Sequence, residues 1–149
     1  MRAIIQKVTE ASVVVDKEKV SEIGPGFMVL LGVKDTDDKE DLAYIKKKIS
    51  KLRIFEDDDE KMNLSIKDVG GEILVVSQFT LYGDARKGNR PSFTSSAKAE
   101  KAKEYYEILI DELREEGFNV KTGVFQTHMQ VSLVNDGPVT IILDSERIL

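Results

Sequence analysis

Three short segments carry residue types that could do chemistry. In Ser77-Gln78-Phe79-Thr80-Leu81 a serine, an amide and a threonine follow the apolar run Ile73-Leu74-Val75-Val76. A buried strand that ends this way sets hydrogen-bonding groups at the mouth of a sheet, where sites commonly form. Taken alone, Ser77 and Thr80 could equally satisfy neighbouring backbone groups. The second segment, Asn135-Asp136-Gly137-Pro138-Val139-Thr140, lies between two apolar stretches. Asn-Asp-Gly-Pro has the composition of a hairpin turn. The Gly137-Pro138 bond could also take the cis form that proline permits, aiming the neighbouring carbonyls as recognition of an ammonium group would need. The third segment, Arg86-Lys87-Gly88-Asn89-Arg90-Pro91, gathers Arg86, Lys87 and Arg90 with no acid among them. It suits contact with a few phosphates, or a plain solvated loop. No aromatic residue interleaves it for stacking, although Phe79, Phe93 and Phe125 could serve a base elsewhere.

Other candidates are weaker. The single histidine, His128, cannot build a multi-histidine metal site and reads as a surface or structural residue. Glu56-Asp57-Asp58-Asp59-Glu60 lacks the glycine and closing glutamate of a calcium loop and reads as a solvated turn. The chain has no Gly-x-Gly-x-x-Gly after a strand, no Walker loop, no Gly-x-Ser-x-Gly elbow and no His-Glu-x-x-His. The common nucleotide-cofactor, esterase-elbow and zinc-protease classes are therefore not indicated.

The elements that must position these residues follow from periodicity. Ile4-Ile5-Gln6-Lys7-Val8 and Ala11-Ser12-Val13-Val14-Val15 are strand-like, and the second leads into the turn-like Asp16-Lys17-Glu18-Lys19, which signals a hairpin. Gly24-Pro25-Gly26 is a turn that opens Phe27 to Val33, a run suited to a central strand buried on both faces. From Asp37 to Arg53, Leu42, Ile45, Ile49 and Leu52 recur at helical spacing with lysines on the other faces, and Asp35 or Thr36 could cap the helix. Ser96 to Glu116 reads as a second helix that stops at Gly117. Glu72 to Leu81 reads as a buried strand, and Asn119–Phe125, Met129–Val134 and Val139–Leu143 as the closing strands. This order predicts an α/β fold: one domain over residues 1–149, a mixed, barrel-like β-sheet with two main helices packed outside.

Composition bounds the rest. At 149 residues, 41% hydrophobic and 33% charged, the chain suits a folded domain and not a disordered one. Without cysteine it can form neither a disulfide nor a thiolate site, which suits a reducing compartment, and the cytoplasm is expected. The longest apolar stretch, Phe27 to Val33, is far short of the roughly 20 residues that span a bilayer, and the N-terminal segment reads as a strand rather than a secretory signal. Twenty-seven acidic against 22 basic residues, a net charge of −5, argue against non-specific adhesion to long nucleic acid but leave room for a local basic site.

Together, the Ser77-Gln78-Phe79-Thr80-Leu81 segment, the Lys87 to Phe93 loop and Met129-Gln130-Val131-Ser132-Leu133-Val134-Asn135-Asp136-Gly137-Pro138-Val139-Thr140 closely resemble the D-aminoacyl-tRNA deacylase (D-tyrosyl-tRNA deacylase) family. Ile5 to Val13, Gly24-Pro25-Gly26, Arg53-Ile54-Phe55 and Lys61 to Ser65 extend the resemblance along the whole chain. It implies a homodimer without cofactor or metal that hydrolyses the ester of D-aminoacyl-tRNA, and of glycine mischarged onto tRNA. It further implies that a Gly-cisPro pair, Gly137-Pro138, enters the other subunit's site, holds the α-ammonium through main-chain oxygens and leaves no space for an L side chain. Catalytic positions fall on Ser77, Gln78, Phe79 and Thr80, an adenine pocket on Phe125 and Met129, and tRNA contacts on Arg86, Lys87 and Arg90. Thr80 has no evident base beside it in the sequence except His128, so main-chain N–H groups near Phe79 and Thr80 are the expected oxyanion site. A nucleic-acid-binding module without catalysis, and a small-molecule esterase using Thr80, are the alternatives.

Overall fold

The computed structural model describes residues 1–149. Eight strands and two helices follow in the order β1 (Arg2–Val15), β2 (Glu18–Ile23), β3 (Gly26–Gly32), α1 (Lys39–Lys51), β4 (Phe55–Glu56), β5 (Met62–Leu64), β6 (Glu72–Ser77), α2 (Ala99–Glu115), β7 (Val120–Thr122) and β8 (Gln130–Asp144). The expected α/β architecture is observed. β1 pairs antiparallel with β2, β3 and β8, while β3, β6 and β7 run parallel. β2 approaches β6 and β7, so the sheet curls almost into a barrel. No helix is long and apolar enough to cross a membrane.

β3 is the central strand its sequence predicts. Phe27, Val29 and Leu31 enter the main core with Leu42, Ile45 and Ile49 of α1 and Leu109 and Leu113 of α2. Met28 points the other way, into a second core with Val13, Leu74 and Val76. Alternation of side chains across a strand puts neighbours on opposite faces, so an unbroken apolar run needs an apolar layer on both.

Four local expectations change. The two N-terminal strand segments form one strand, β1; register shifts at Gln6/Val8 and Val8/Glu10 let it bend without breaking. Its hairpin with β2 turns at Asp16 and Lys17, both at positive φ, as a two-residue turn requires. α1 is capped by Asp38 rather than Asp35 or Thr36. The Asp38 carboxylate accepts from the Glu40 and Asp41 N–H groups, and Asp41 accepts in return from the Asp38 N–H. β6 stops at Ser77 and Phe79–Tyr82 forms a 3-10 turn, so Phe79 and Thr80 are not strand residues.

The fourth change matters most: Asn135 to Pro138 makes no hairpin, because it lies inside the single strand β8. Residues on both sides pair with β1, Val134 with Glu10 and Thr140 with Gln6. The Asn135 side-chain amide donates to Lys7 O (3.0 Å) and Val139 O (2.9 Å), which holds the irregular stretch against β1. Gly137 has φ +121°, and a Cβ there would meet Val139 Cγ2 at 2.7 Å, so only glycine fits. The Gly137–Pro138 peptide is cis.

Candidate active site

Parallel pairing of β6 with β7, Val75 opposite Thr122, brings the end of β6 beside the chain that leaves β7. Between them opens a cleft of about 600 Å³. Ser77, Gln78 and Phe79 line it from the end of β6 and the turn that follows, while Phe125, His128 and Met129 line it from the segment before β8. The start of α2 closes it with the small side chains Ala97, Ala99 and Ala102. Two segments about fifty residues apart in the sequence thus meet in one cavity.

The wall that follows β7 is held from beneath. Phe125 packs on Tyr106 of α2, with ring centroids 6.0 Å apart, and the Tyr106 hydroxyl donates to Val75 O at 3.0 Å. Burial pushes that phenol up to about 12, so it stays a neutral donor. Met129 lies against Gly123, where a Cβ would sit 2.6 Å from its Sδ. The turn between Phe125 and Met129 has Gln126 at φ 58° and is tied by Thr127 Oγ1 donating to Val124 O at 2.9 Å.

On the other wall, the Gln78 N–H donates to Leu31 O at 2.8 Å, so Gln78 still follows the line of β6 before the 3-10 turn begins. Its side-chain amide donates to the Thr80 hydroxyl. Thr80 itself is exposed and does not line the cleft. None of the turn, loop or cap hydrogen bonds uses the Phe79 or Thr80 N–H. The Phe79 carbonyl accepts from Ser96 Oγ at 3.2 Å, and the exposed Phe79 ring meets Phe93 edge-on at 5.1 Å.

His128 is the one ionisable side chain lining the cleft. Read as incidental in the sequence, it is a wall residue, and its place one residue before Met129 was the signal available. Ala97, Ala99 and Ala102 carried no signal beyond their small size. With no carboxylate in its lining, the cleft cannot run the paired-acid chemistry of a glycosidase. It offers amides, hydroxyls and apolar surface, which can orient a substrate that is already reactive.

Arg86, Lys87 and Arg90 are exposed and stand outside the cleft. Their loop is pinched by the Asp84–Ser92 bridge and meets the cleft wall where Phe93 packs on Phe79. Arg86 is not a free cation: its guanidinium is bidentate to Asp84 at 2.9 and 2.7 Å, and these hydrogen bonds hold the Asp84 carboxyl well below the usual carboxylate range. Lys87 and Arg90 make no ion pair. Gly137 and Pro138 are also exposed and contribute nothing to the cleft of their own chain.

The sequence profile described as D-Tyr-tRNA(Tyr) deacylase matches residues 4–144. The chain belongs to that family. It is 55% identical over 148 residues to the D-aminoacyl-tRNA deacylase of Thermotoga petrophila, covering 99% of each chain, and 55% identical over 147 residues to that of Desulfitobacterium hafniense, again covering 99% of each. Among solved structures it matches a c-Myc DNA unwinding element binding protein at 42% identity and TM-score 0.91, covering 97% of this chain and 98% of that one. A probable eukaryotic D-amino acid tRNA deacylase shares the fold at 20% identity and TM-score 0.75, covering 95% and 97%. The match of this deacylase family takes in the whole cleft, from Val76 through Val131.

Proposed function

We propose that the chain hydrolyses the ester joining a D-amino acid to the terminal adenosine of tRNA, and releases both. One observation carries this reading: the Ser77-Gln78-Phe79 segment and the Phe125–Met129 pair, the two parts that a family member would use on ester and adenine, converge on a single cleft without a carboxylate. An aminoacyl ester is already activated, so hydrolysis needs a placed water and donors for the developing oxyanion more than a strong base. The Phe79 and Thr80 N–H groups supply those donors. Thr80, held by Gln78, positions the substrate, and the terminal 2′-hydroxyl of the tRNA assists the water. Phe125 and Met129 flank the adenine, and Lys87 and Arg90 meet phosphates of the tRNA, with a smaller part for Arg86, which Asp84 already pairs. The reaction takes place in the cytoplasm and needs no cofactor.

Handedness is read by Gly137-Pro138 of a second copy in a homodimer. Their exposure at the outer strand β8 supports this, as does the apolar surface beside them, where Val134 and Ile142 are 48% and 56% exposed. Main-chain oxygens of that pair hold the α-ammonium where an L side chain would have to go. Excluding a group with rigid backbone discriminates more strongly than the 1–3 kcal/mol or so that one methylene more or less provides. Glycine, with no side chain to exclude, is accepted from mischarged tRNA.

A nucleic-acid-binding role without hydrolysis is the second reading, favoured by the name of the structural neighbour at 42% identity. An esterase with Thr80 as nucleophile is disfavoured by the place of Thr80 outside the cleft lining. Deacylation of D-tyrosyl- and L-tyrosyl-tRNA, with no added metal, separates the three. Rapid loss of the D ester alone is expected; binding without hydrolysis supports the second reading, and equal hydrolysis of both esters the third.

A further inference from the structure

A second cleft, of about 390 Å³, lies along α1 on the outside of the molecule. Lys47, Lys48, Lys51, Arg53 and Arg147 line it around Tyr44, and no carboxylate does. None of these five cations is in an ion pair, whereas Lys46, on the next face of α1, pairs with Glu112 and Glu116. Three of them meet neutral groups instead. Lys48 and Arg147 lie 5.6 and 5.1 Å from the Tyr44 ring centroid, and Arg53 donates to Asn63 O at 2.8 Å.

Five unpaired cations around one hollow repel one another, in a chain with more acids than bases. The helix dipole accounts for Lys48 and Lys51, which stand in the last turn of α1. It accounts for neither Lys47 nor Arg53 nor Arg147. The hollow is therefore built to receive negative charge from outside. Its shape says what kind: from Tyr44 to Lys51 the groove follows about 10 Å of helix, longer than a single phosphate, and it runs on from Arg53, before β4, to Arg147, whose N–H donates to Asp144 O at the end of β8. It shares no lining residue with the active-site cleft. One ligand that touches both must be an extended polyanion.

We propose that the α1 groove is a second tRNA contact, which takes the sugar-phosphate backbone away from the acylated end. This rests on the deacylase reading above. The test compares the wild type with Lys47→Gln/Lys48→Gln/Lys51→Gln, a change that keeps helix propensity, and with Lys17→Gln/Lys19→Gln/Lys103→Gln, which alters net charge equally elsewhere. Each is assayed on D-tyrosyl-tRNA over a range of salt, and on the D-tyrosyl ester of adenosine alone. Lys47→Gln alone serves if the triple variant misfolds.

For the groove variant the expected result is a KM for D-tyrosyl-tRNA raised about tenfold, kcat unchanged, and a salt slope smaller by about two to three. The adenosine ester should be hydrolysed as before, and the control variant should behave as wild type. Lys47→Gln alone should raise KM about twofold. An unchanged KM and slope would overturn the proposal, as would the same rise in the control. So would binding of inorganic pyrophosphate to the groove with no change in the KM for tRNA, since that marks a small-anion site. If the wild type hydrolyses neither substrate, the deacylase reading itself falls and this inference with it. Hydrolysis of both substrates with no effect of the groove variant removes the groove alone.

Discussion

Gln78 and Thr80 are joined side chain to side chain, yet only Gln78 lines the cleft. The amide donates and the hydroxyl oxygen accepts, so the threonine is held by a neighbour that has no power to take its proton. A nucleophilic threonine needs the opposite arrangement, an acceptor facing its O–H.

Thr80→Ala should therefore cost the 0.5–1.5 kcal/mol or so of one hydrogen bond, a fall in kcat/KM of about two- to twelvefold on D-tyrosyl-tRNA. Single-turnover kinetics would check the size of the loss. A fall beyond about a thousandfold, or an acyl-threonine caught by mass spectrometry, would make Thr80 the nucleophile.

The second prediction concerns His128, the only ionisable side chain in the cleft lining. If substrate and main chain do the chemistry, His128→Gln should keep kcat within about tenfold of wild type and leave the pH–rate profile unchanged in shape. Loss of about a hundredfold, together with loss of a limb of that profile, would establish a general base.

Asn135 offers a test of chiral selection that leaves Gly137 and Pro138 themselves in place. Its amide donates to Lys7 O and Val139 O, and its Oδ1 accepts from Thr140 Oγ1, which together hold the irregular part of β8. Asn135→Ala should lower stability by about 1–3 kcal/mol and loosen that segment. Hydrolysis of L-tyrosyl-tRNA should rise relative to the D ester in a side-by-side deacylation assay. Unaltered discrimination in a folded variant would separate this strand from substrate selection.

Within the basic loop, Arg86 is already neutralised by Asp84. Lys87→Gln/Arg90→Gln should flatten the salt dependence of tRNA binding by about two, and Arg86→Gln by less than one. The Asp84 carboxyl, held low by Arg86, stays ionised above the ordinary carboxylate range, and the pair is lost only as pH falls well below it. The weak effect of Arg86→Gln should consequently be the same at about pH 5 and about pH 8. A larger effect of Arg86→Gln in filter-binding titrations would mean that RNA displaces Asp84.

Much of the fold was legible because its signals are local. The spacing of Leu42, Ile45 and Ile49 marks a helix with one buried face, and all three are buried. The run from Phe27 marks a strand covered on both sides, as β3 is. The cap of α1 was misplaced by a few residues because Asp35, Thr36 and Asp38 have the same capping chemistry, and only the return bond from Asp41 selects Asp38. Asn135 to Pro138 reads as a turn because turns and strand irregularities use the same residues; pairing with β1 on both sides decides between them.

For the site, the sequence by itself determined the parts: a polar end to a buried strand, an aromatic and a methionine four residues apart, and a Gly-Pro pair in an apolar setting. It also determined the absence of any acid between Arg86 and Arg90. Tertiary structure alone decided which parts meet. Register along β3, β6 and β7 brings Gln78 to Phe125 and Met129, and the same sheet turns Gly137 and Pro138 away from that cleft. It also set Asp84 against Arg86 and left Lys47, Lys48 and Lys51 unpaired around Tyr44. Periodicity reports that a face is buried, whereas the partner of that face is chosen by packing between residues far apart in the chain.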